Sequence, residues 1–433
     1  MTANPSHRLQ FDQPWPDLQW STDSNSSEAL YENGNISQAH FILNRLFQDF
    51  AGSFAVRLWN GSMLYIGNGT PAFTFCLEQA SVLRNMILFS DPARLAEAYF
   101  SGEVQILGDF HAAMQLRYYF ESLSFPLHEK LGLVFRALTL ADSHIEHTDS
   151  TQSLHTPAQN ESKSISLDYA APADFYHLWL DDHMLYSCAY FGDASQDLMQ
   201  AQLNQLDLVC LKLHLQHGES LLDIGGGWGG LACWAARNYG VFVHSITQSP
   251  EQYAYAMEEV KRQGLEKLVT IELCHYRDLP DVPRYNKVVS IGVCDNVGEQ
   301  NLPAYLDKVH AVLKPGGLFL DHHVTLENPG RQHQVPTEFI NRQMFPDGEL
   351  STLPQLETQL AAAKFEICKV DGMRRHHALT LRRWVQKLEQ RHKEVTQIVG
   401  DRTYRIWRFY MTACAIQFEQ GLTAIYQILA VRR

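Results

Sequence analysis

One short stretch constrains the fold of this chain more than any other. An apolar run, Leu221–Ile224, leads into the glycine-rich segment Gly225–Gly230, and helix-forming residues follow in Leu231–Arg237. This order predicts a strand, a tight turn and a helix. Glycines allow positive φ and let a ligand approach the bare backbone, and the first N–H groups of a helix have no partner within it. We therefore expect a small, nucleoside-like ligand at this turn.

The glycines of the turn are compatible with two classes of cofactor. The dinucleotide pattern G-x-G-x-x-G is matched by Gly225, Gly227 and Gly230. Nicotinamide cofactors also need an acidic residue about 20 positions later, at the end of the next strand, but the strand predicted at 241–246 is followed by Thr247-Gln248-Ser249. The D-x-G-x-G-x-G turn of S-adenosylmethionine (SAM) enzymes is matched by Asp223, Gly225, Gly227 and Gly229. Because the ribose-binding acid is missing, we favour SAM.

Length and charge exclude several classes of protein. A chain of 433 residues is long enough for two or three domains. Its net charge of −13 argues against nucleic-acid binding and gives no general attraction to anionic membranes. The 8 cysteines lack the spacing of metal ligands or of a disulfide framework, so we expect a reduced protein without a metal site. No signal peptide or membrane span is recognisable, and we expect a cytoplasmic location.

The chain divides into four predicted segments. Residues 1–35 are polar and irregular and are interpreted as a loose leader. Residues 36–142 contain a hairpin pattern around Asn60-Gly61, followed by strand-like and helix-like stretches, and predict a small α+β domain. Residues 143–165 are rich in Ser, Thr, His, Asn and Gln and are interpreted as a linker. Residues 166–433 form the largest predicted domain.

Strands and helices alternate regularly after the glycine turn. This alternation predicts an α/β fold with a parallel, doubly wound sheet whose ligands lie at the carboxyl ends of the strands. Ser249 and Pro250 form the start signal of one of these helices. Residues from 329 to about 397 are expected to be helices and turns that cover the site, and the chain is expected to end in a helix and a final strand.

The motifs of the second half resemble one enzyme family, the cyclopropane-fatty-acyl-phospholipid synthases, which are related to the mycolic acid cyclopropane synthases. The matching segments are Tyr186–Phe191, Leu222–Gly230, Thr247–Gln252, Tyr276–Asp278, Leu313–Gly317, Phe345–Gly348, Thr380–Trp384 and Tyr410–Phe418. The resemblance implies a Rossmann-like class I SAM methyltransferase fold with a helical cover. Residues 36–142 resemble, more loosely, the lipid-binding extra domain of the longer bacterial members.

The resemblance also implies which residues form the site. SAM would be held by Tyr186, Ser187, Asp223, Gly225, Gly227, Gly229, Thr247 and Gln252. In the family the catalytic base is a bound bicarbonate, which a Cys, a Glu, a His, a backbone group and a Tyr hold. Cys188 and His322 match two of these positions, whereas Asp295 replaces the Glu and His377 replaces the Tyr. The resemblance therefore implies an intact methyl-donor site and an altered base site.

The implied reaction needs a dry pocket. An alkene that attacks the SAM methyl group becomes a carbocation, which water would trap, so aromatic walls are expected. Tyr190, Phe191 and Trp228 are candidates for these walls, although each could equally be ordinary core.

Three hypotheses follow for the function. The first is a cyclopropane synthase acting on phospholipid acyl chains. The second is an enzyme that uses the same donor to make methyl- or methylene-branched lipids. The third is a non-catalytic protein that binds SAM and lipid. We expect acyl chains as the partner, peripheral contact with a membrane and a homodimer as one possible assembly.

Overall fold

The computed structural model describes residues 26–89, 91–140, 171–327 and 350–433. The predicted linker 143–165, most of the predicted leader and the motif at 345–348 lie outside these residues. The first helix, α1 (Ser26–Leu46), begins before the leader boundary that we placed at residue 35. The four-segment division of the chain therefore stays a prediction.

The first region is a small α+β unit. Its elements are α1, β1 (Phe54–Arg57), β2 (Met63–Ile66), β3 (Phe73–Leu77), α2 (Ala80–Phe89), α3 (Pro92–Ser101), β4 (Val104–Gly108), α4 (Phe110–Ser122) and α5 (Leu127–Leu138). The strands form one sheet in the order β2-β1-β3-β4. The antiparallel pairing of β1 with β2 confirms the hairpin predicted around Asn60-Gly61.

The second region is a sheet with helices on both faces. Its elements are α6 (Ala173–His177), α7 (Leu198–Lys212), β5 (Ser220–Ile224), α8 (Gly230–Tyr239), β6 (Phe242–Thr247), α9 (Pro250–Arg262), β7 (Val269–Leu273), a 3-10 turn (Tyr276–Asp278), β8 (Tyr285–Ile291), α10 (Cys294–Val297), α11 (Leu302–Val312), β9 (Leu313–Leu326), α12 (Leu353–Ala362), β10 (Phe365–Gly372), α13 (Arg374–Gln390), α14 (His392–Gln420) and β11 (Thr423–Arg432).

The seven strands of this region follow the order β10-β11-β9-β8-β5-β6-β7. The strands from β5 to β9 pair in parallel, as predicted, and β11 is antiparallel to both of its neighbours. The expectation of only helices and turns from 329 to 397 is wrong for β10. This strand lies at the sheet edge and is largely uncovered, so its sequence lacks the apolar run of a central strand.

The helix start that we predicted at Ser249 and Pro250 is confirmed. The Ser249 side chain accepts the backbone N–H of Gln252 at 3.3 Å, and Pro250 is the first residue of α9. This cap fixes the direction in which the chain leaves β6, next to the glycine turn that ends β5.

Helix α14 joins the two regions of the molecule. Arg405 donates to the carbonyl oxygens of Tyr99 and Val104, each at 3.2 Å. Arg408, buried on the same helix, donates to Glu389 at 2.7 Å. A single hydrophobic core extends from α1 to α14. In the part of the chain that the structure describes, no helix is long and apolar enough to cross a membrane.

Candidate functional site

The turn after β5 has the backbone geometry that its sequence predicts. Gly225, Gly227 and Gly229 have φ angles of 73°, 55° and 86°, a region in which side chains with a Cβ are strained. A Cβ on Gly225 would lie 2.4 Å from Val293 Cγ2, whereas one on Gly227 would meet nothing nearer than 4.0 Å. The turn is therefore packed against its neighbours at Gly225 and open at Gly227, where a ligand can approach.

Asp223 lies inside the sheet, one residue before the end of β5. Its carboxylate accepts a hydrogen bond from the Ser245 hydroxyl at 3.2 Å. Burial raises the pKa of Asp223 to about 7, and the hydrogen bond from Ser245 opposes that rise. A nearby positive charge favours the ionised form of a buried acid. Asp223 thus suits a ligand that brings a cationic group to this turn, and the methionine end of SAM carries an ammonium.

Thr247 and Gln252, which we predicted near the ribose and adenine, contact each other. The Thr247 hydroxyl is 2.8 Å from Gln252 Oε1 and accepts the Ser249 N–H at 3.2 Å. These bonds hold the end of β6 to the first turn of α9. Both residues therefore lie at the carboxyl edge of the strand that neighbours β5.

Tyr186 lies in a cluster of tryptophans that sequence reasoning missed. Its ring centroid is 5.2 Å from that of Trp384 and 5.7 Å from that of Trp179. Trp407 lies 5.4 Å from Trp179, and all three indoles are fully buried. The three tryptophans come from separate segments with no shared local pattern, so only the fold brings them together.

The three aromatic residues that we named as candidate walls differ in position. Phe191 and Trp228 are buried in the main core, whereas Tyr190 is 37% exposed and its ring lies 4.7 Å from that of His376. The backbone carbonyl of Ser187 accepts a hydrogen bond at 3.1 Å from the buried side-chain amide of Gln202 on α7.

Cys188 lies against the start of α13, the helix that carries His377. Cys188 Sγ lies 3.9 Å from the carbonyl oxygen of Met373, and the backbone N–H of His377 donates to the same oxygen at 3.0 Å. Thr380, one turn further on, accepts the N–H of Ala189 at 3.0 Å. Burial raises the pKa of the Cys188 thiol, so it stays protonated and is a neutral donor.

His322 is buried on β9 with a defined pattern of hydrogen bonds. The side-chain amide nitrogens of Gln205 and Gln427 lie 3.3 and 3.4 Å from its Nδ1. Because an amide NH2 only donates, Nδ1 accepts and the ring proton lies on Nε2. Among the described residues Nε2 has no hydrogen-bond partner. The Nε2–H of His322 is therefore available as a hydrogen-bond donor.

A polar chain behind His322 was missed by the sequence analysis. Lys212 Nζ donates to Gln427 Oε1 at 2.6 Å and pairs with Asp371 at 2.6 Å. Gln427 Nε2 also donates to Gln205 Oε1 at 3.2 Å. The lysine fixes which end of the Gln427 amide faces it, so the nitrogen end faces His322. The members come from α7, β10 and β11, which no sequence motif connects.

His322 and His377 are both neutral near pH 7. Burial lowers the pKa of His322 to about 3, and the charge of His377 is the second cause. Burial also lowers the pKa of His377 to about 4. Within the described part of the chain, Nδ1 of His377 has no hydrogen-bond partner. Its ring stands edge-on to Phe418 at 4.6 Å.

Cys188 is linked to the first turn of α13, which carries His377, because the Cys188 thiol and the backbone N–H of His377 both approach the Met373 carbonyl. That the side chains of His322 and His377 complete one base site with Cys188 stays a prediction. Asp295 lies on α10, which follows β8, but its side chain is not among the described groups. The place of its carboxylate in the site stays a prediction.

Residues 156–428 match the protein family described as "Mycolic acid cyclopropane synthetase". This chain belongs to that family. The match includes the glycine turn, Cys188, His322 and His377, and it confirms the resemblance drawn from the separated motifs.

Individual relatives of the cyclopropane synthetase family cover most of this chain. A "Probable fatty acid methyltransferase" of Pseudomonas putida is 35% identical over 87% of this chain and 91% of its own length. The cyclopropane-fatty-acyl-phospholipid synthase of Escherichia coli is 35% identical over 60% of this chain and 65% of its own length. The solved structure of mycolic acid cyclopropane synthase CmaA1, complexed with SAH and CTAB, superposes with a TM-score of 0.58 and 28% identity, over 61% of this chain and 95% of that chain.

The fold and the methyl donor follow from this membership. The chain is a class I, Rossmann-like, SAM-dependent methyltransferase, and its relatives act on lipids. SAM fits the residues at the glycine turn, because the backbone is open at Gly227 and the buried acid Asp223 accommodates a cationic group.

Proposed function

We propose that this protein transfers the methyl carbon of SAM to the double bond of an unsaturated acyl chain in a phospholipid and closes a cyclopropane ring. The observation that carries this proposal is a pair of neutral histidines, of which His322 is buried and His377 is half-buried. His322 and His377 each keep one ring nitrogen free of hydrogen bonds within the described structure, and the thiol of Cys188 is protonated. Such a group of neutral donors suits a small anion that acts as a base.

The surroundings of the site suit a carbocation on the acyl chain. SAM supplies an electrophilic methyl group, and the alkene carbon that attacks it leaves a positive charge on the neighbouring carbon. Trp179, Trp384 and Trp407 provide fully buried aromatic surface next to Tyr186. Aromatic faces attract cations, and a dry pocket keeps water from trapping them.

Ring closure requires the loss of one proton from the transferred methyl group. We assign this step to a bicarbonate bounded by Cys188, Asp295, His322 and His377. The Nε2–H of His322 and the thiol of Cys188 would donate to the anion, and the Asp295 carboxylate would accept its hydrogen. A bicarbonate held there would supply the base for this proton, and the C–H electron pair would form the last bond of the ring.

A methyl- or methylene-branched product is the second candidate, and the replacement of tyrosine by His377 favours it. A neutral imidazole can itself accept a proton, so loss of a hydrogen from the acyl chain would leave a branched alkene. The name of the Pseudomonas putida relative, a fatty acid methyltransferase, agrees with such an outcome.

Labelled methionine distinguishes the products. Cells that express the full chain are grown with methionine bearing a CD3 group, and their lipids are fragmented in a mass spectrometer. A ring retains two of the three deuterium atoms, since one is lost at closure, whereas a methyl branch on a retained alkene keeps all three. A methylene branch also retains two but gives fragments of a terminal alkene. If the protein binds SAM but the lipids carry no label, the protein is non-catalytic.

We further propose that α5 contacts the lipid surface. Four apolar residues on one face of this helix are 60% to 74% exposed, namely Leu127, Leu131, Phe135 and Leu138. Their spacing is that of an amphipathic helix whose apolar stripe faces outward. With a net charge of −13, the protein has no general electrostatic attraction to anionic lipid, so apolar insertion is the available means of binding.

Flotation with phosphatidylcholine vesicles tests this surface. Leu131→Glu with Phe135→Glu should leave the protein in the unbound fraction, whereas Leu211→Glu, at an exposed leucine of α7, should float like the wild type. Sedimentation of the same variants tests a homodimer through this face. Loss of a dimer with unchanged flotation would assign the stripe to a second copy of the chain and overturn the membrane assignment.

A further inference from the structure

A second buried cluster lies near the carboxyl edge of the sheet, separate from the histidine pair of the proposed base site. It consists of Cys294, Asp321 and His323. Asp321 and His323 alternate with His322 along β9, so they face the opposite side of the sheet from it. Cys294 begins α10, just after the neighbouring strand β8. Pairing of Ile291 with His322 brings these segments alongside each other.

The distances within the cluster are those of groups around a common centre. Cys294 Sγ lies 3.1 Å from Asp321 Oδ1, and His323 Nδ1 lies 3.6 Å from Asp321 Oδ2. All the ligand atoms lie within 4.8 Å of one another. Ligands bound to one tetrahedral zinc at about 2.0 to 2.3 Å are about 3.5 Å apart. The cluster needs only small shifts to reach that geometry.

The electrostatics of the cluster also favour a cation. The three residues are 1% to 3% exposed. Asp321 Oδ2 has no hydrogen-bond partner within the described structure, and no lysine or arginine of the described residues pairs with this carboxylate. Among the described residues only His323 could compensate this carboxylate, and only when its ring is protonated. A buried carboxylate without a compensating charge is costly. A divalent cation would compensate the carboxylate and a thiolate together.

We propose that Cys294, Asp321 and His323 bind a zinc ion. One sulfur, one oxygen and one nitrogen ligand form a set that Zn²⁺ accepts, and three protein ligands leave a fourth position for water. Binding would release the thiol proton of Cys294 to solvent. Because Asp295 follows Cys294 directly, the ion would also fix the start of α10, which carries the carboxylate assigned to the base site.

The sequence analysis expected no metal site because the cysteines lack ligand spacing. The structure explains why spacing was uninformative here. Cys294 and Asp321 are 27 positions apart, and the parallel pairing of β8 with β9 brings them together. Residues assembled across neighbouring strands leave no short motif.

Metal analysis of the full-length protein tests the site directly. The purified chain should hold about one zinc per molecule after dialysis, and Cys294→Ala should hold none. Cys233→Ala is the matched control, since Cys233 is equally buried but lies on α8. It should keep its zinc. Exchange of zinc for Co²⁺ should give the absorption band of a cobalt–thiolate bond in the wild type and in Cys233→Ala only.

Two further variants keep the test decisive if Cys294→Ala fails to fold. Asp321→Asn is nearly the same size as the native residue, and His323→Gln removes the imidazole; both should lose the metal. A chain that contains no zinc and takes up none from solution would overturn the proposal. So would zinc that all three ligand variants retain, because the ion would then lie elsewhere. Neither result depends on the lipid product.

Discussion

The donor side and the base side of this enzyme are built in different ways. The glycine turn of the donor side is continuous in sequence, because Asp223 and its three glycines lie in one short segment, and those glycines have positive φ angles. The base side that we propose consists of single side chains from distant segments, and Cys188 approaches the carbonyl of Met373, which accepts the backbone N–H of His377. A backbone turn tolerates few substitutions, whereas separate side chains can be exchanged one at a time. Accordingly, the departures from the family that the resemblance implies, at Asp295 and His377, lie on the proposed base side.

Removal of His322 should have the largest effect and should separate the two sides. His322→Ala is expected to lower kcat by about 10²–10⁴, the range for loss of a group that positions or performs proton transfer. SAM affinity, measured by calorimetry, should stay unchanged because the glycine turn is untouched. His217→Ala, at an exposed histidine between α7 and β5, is the control and should retain full activity. Wild-type turnover in both His322→Ala and Cys188→Ala would exclude the proposed base site.

A side chain added to the glycine turn should weaken the binding of SAM and should not act on the proton-transfer step. Gly227→Val places a branched side chain where the ligand approaches, and it also strains a backbone with φ of 55°. We expect SAM affinity to fall by about a hundredfold, or roughly 2.7 kcal/mol. Gly264→Val introduces the same kind of strain at φ of 67°, in open space away from the turn. That control should lower stability but leave SAM affinity unchanged. Binding of NAD in place of SAM by the wild type would refute the cofactor assignment.

The contrast between the two sides also determines what the sequence could predict. Strand β5, the turn and the cap at Ser249 were predictable, because each depends on neighbours within a few residues. The strand β10 and the tryptophan cluster around Tyr186 were not, since an edge strand has no strong apolar pattern and the tryptophans come from three segments. Gln205 and Gln427 orient His322 from two different elements. Only the fold reveals such partners.

Acid should destabilise the base side through its neutral histidines. The pKa of His377 is about 4 in the folded protein and near 6.5 when unfolded, so between these values the unfolded chain binds more protons. Stability is then fully present above about pH 6.5 and falls as the pH drops toward 4. Between pH 7 and pH 5 the contribution of this residue amounts to roughly 2 kcal/mol. Urea unfolding at both values should show a smaller loss for His377→Phe than for the wild type. Equal losses would mean that His377 does not remain neutral when buried.

Replacing His377 by the tyrosine of the family should give the smallest change in activity, and that change should depend on a single hydroxyl group. His377→Tyr places a phenolic donor at the proposed base site, and we expect cyclopropane formation to rise by up to about tenfold, less than the roughly 10²–10⁴ that a full general-base contact contributes. The added volume opposes this gain, because the ring stands 4.6 Å from Phe418 in a packed core and overpacking costs about 1–3 kcal/mol of stability.

His377→Phe has nearly the same shape without the hydroxyl, so a gain that requires the phenol must be absent from it. Asp295→Glu, which extends the carboxylate by about 1.5 Å, should add to the effect of tyrosine. The measurement is the share of labelled lipid that retains two deuterium atoms in a ring. If His377→Tyr and His377→Phe give the same share, the phenol plays no part here, and the imidazole of His377 itself directs the reaction toward a branched product.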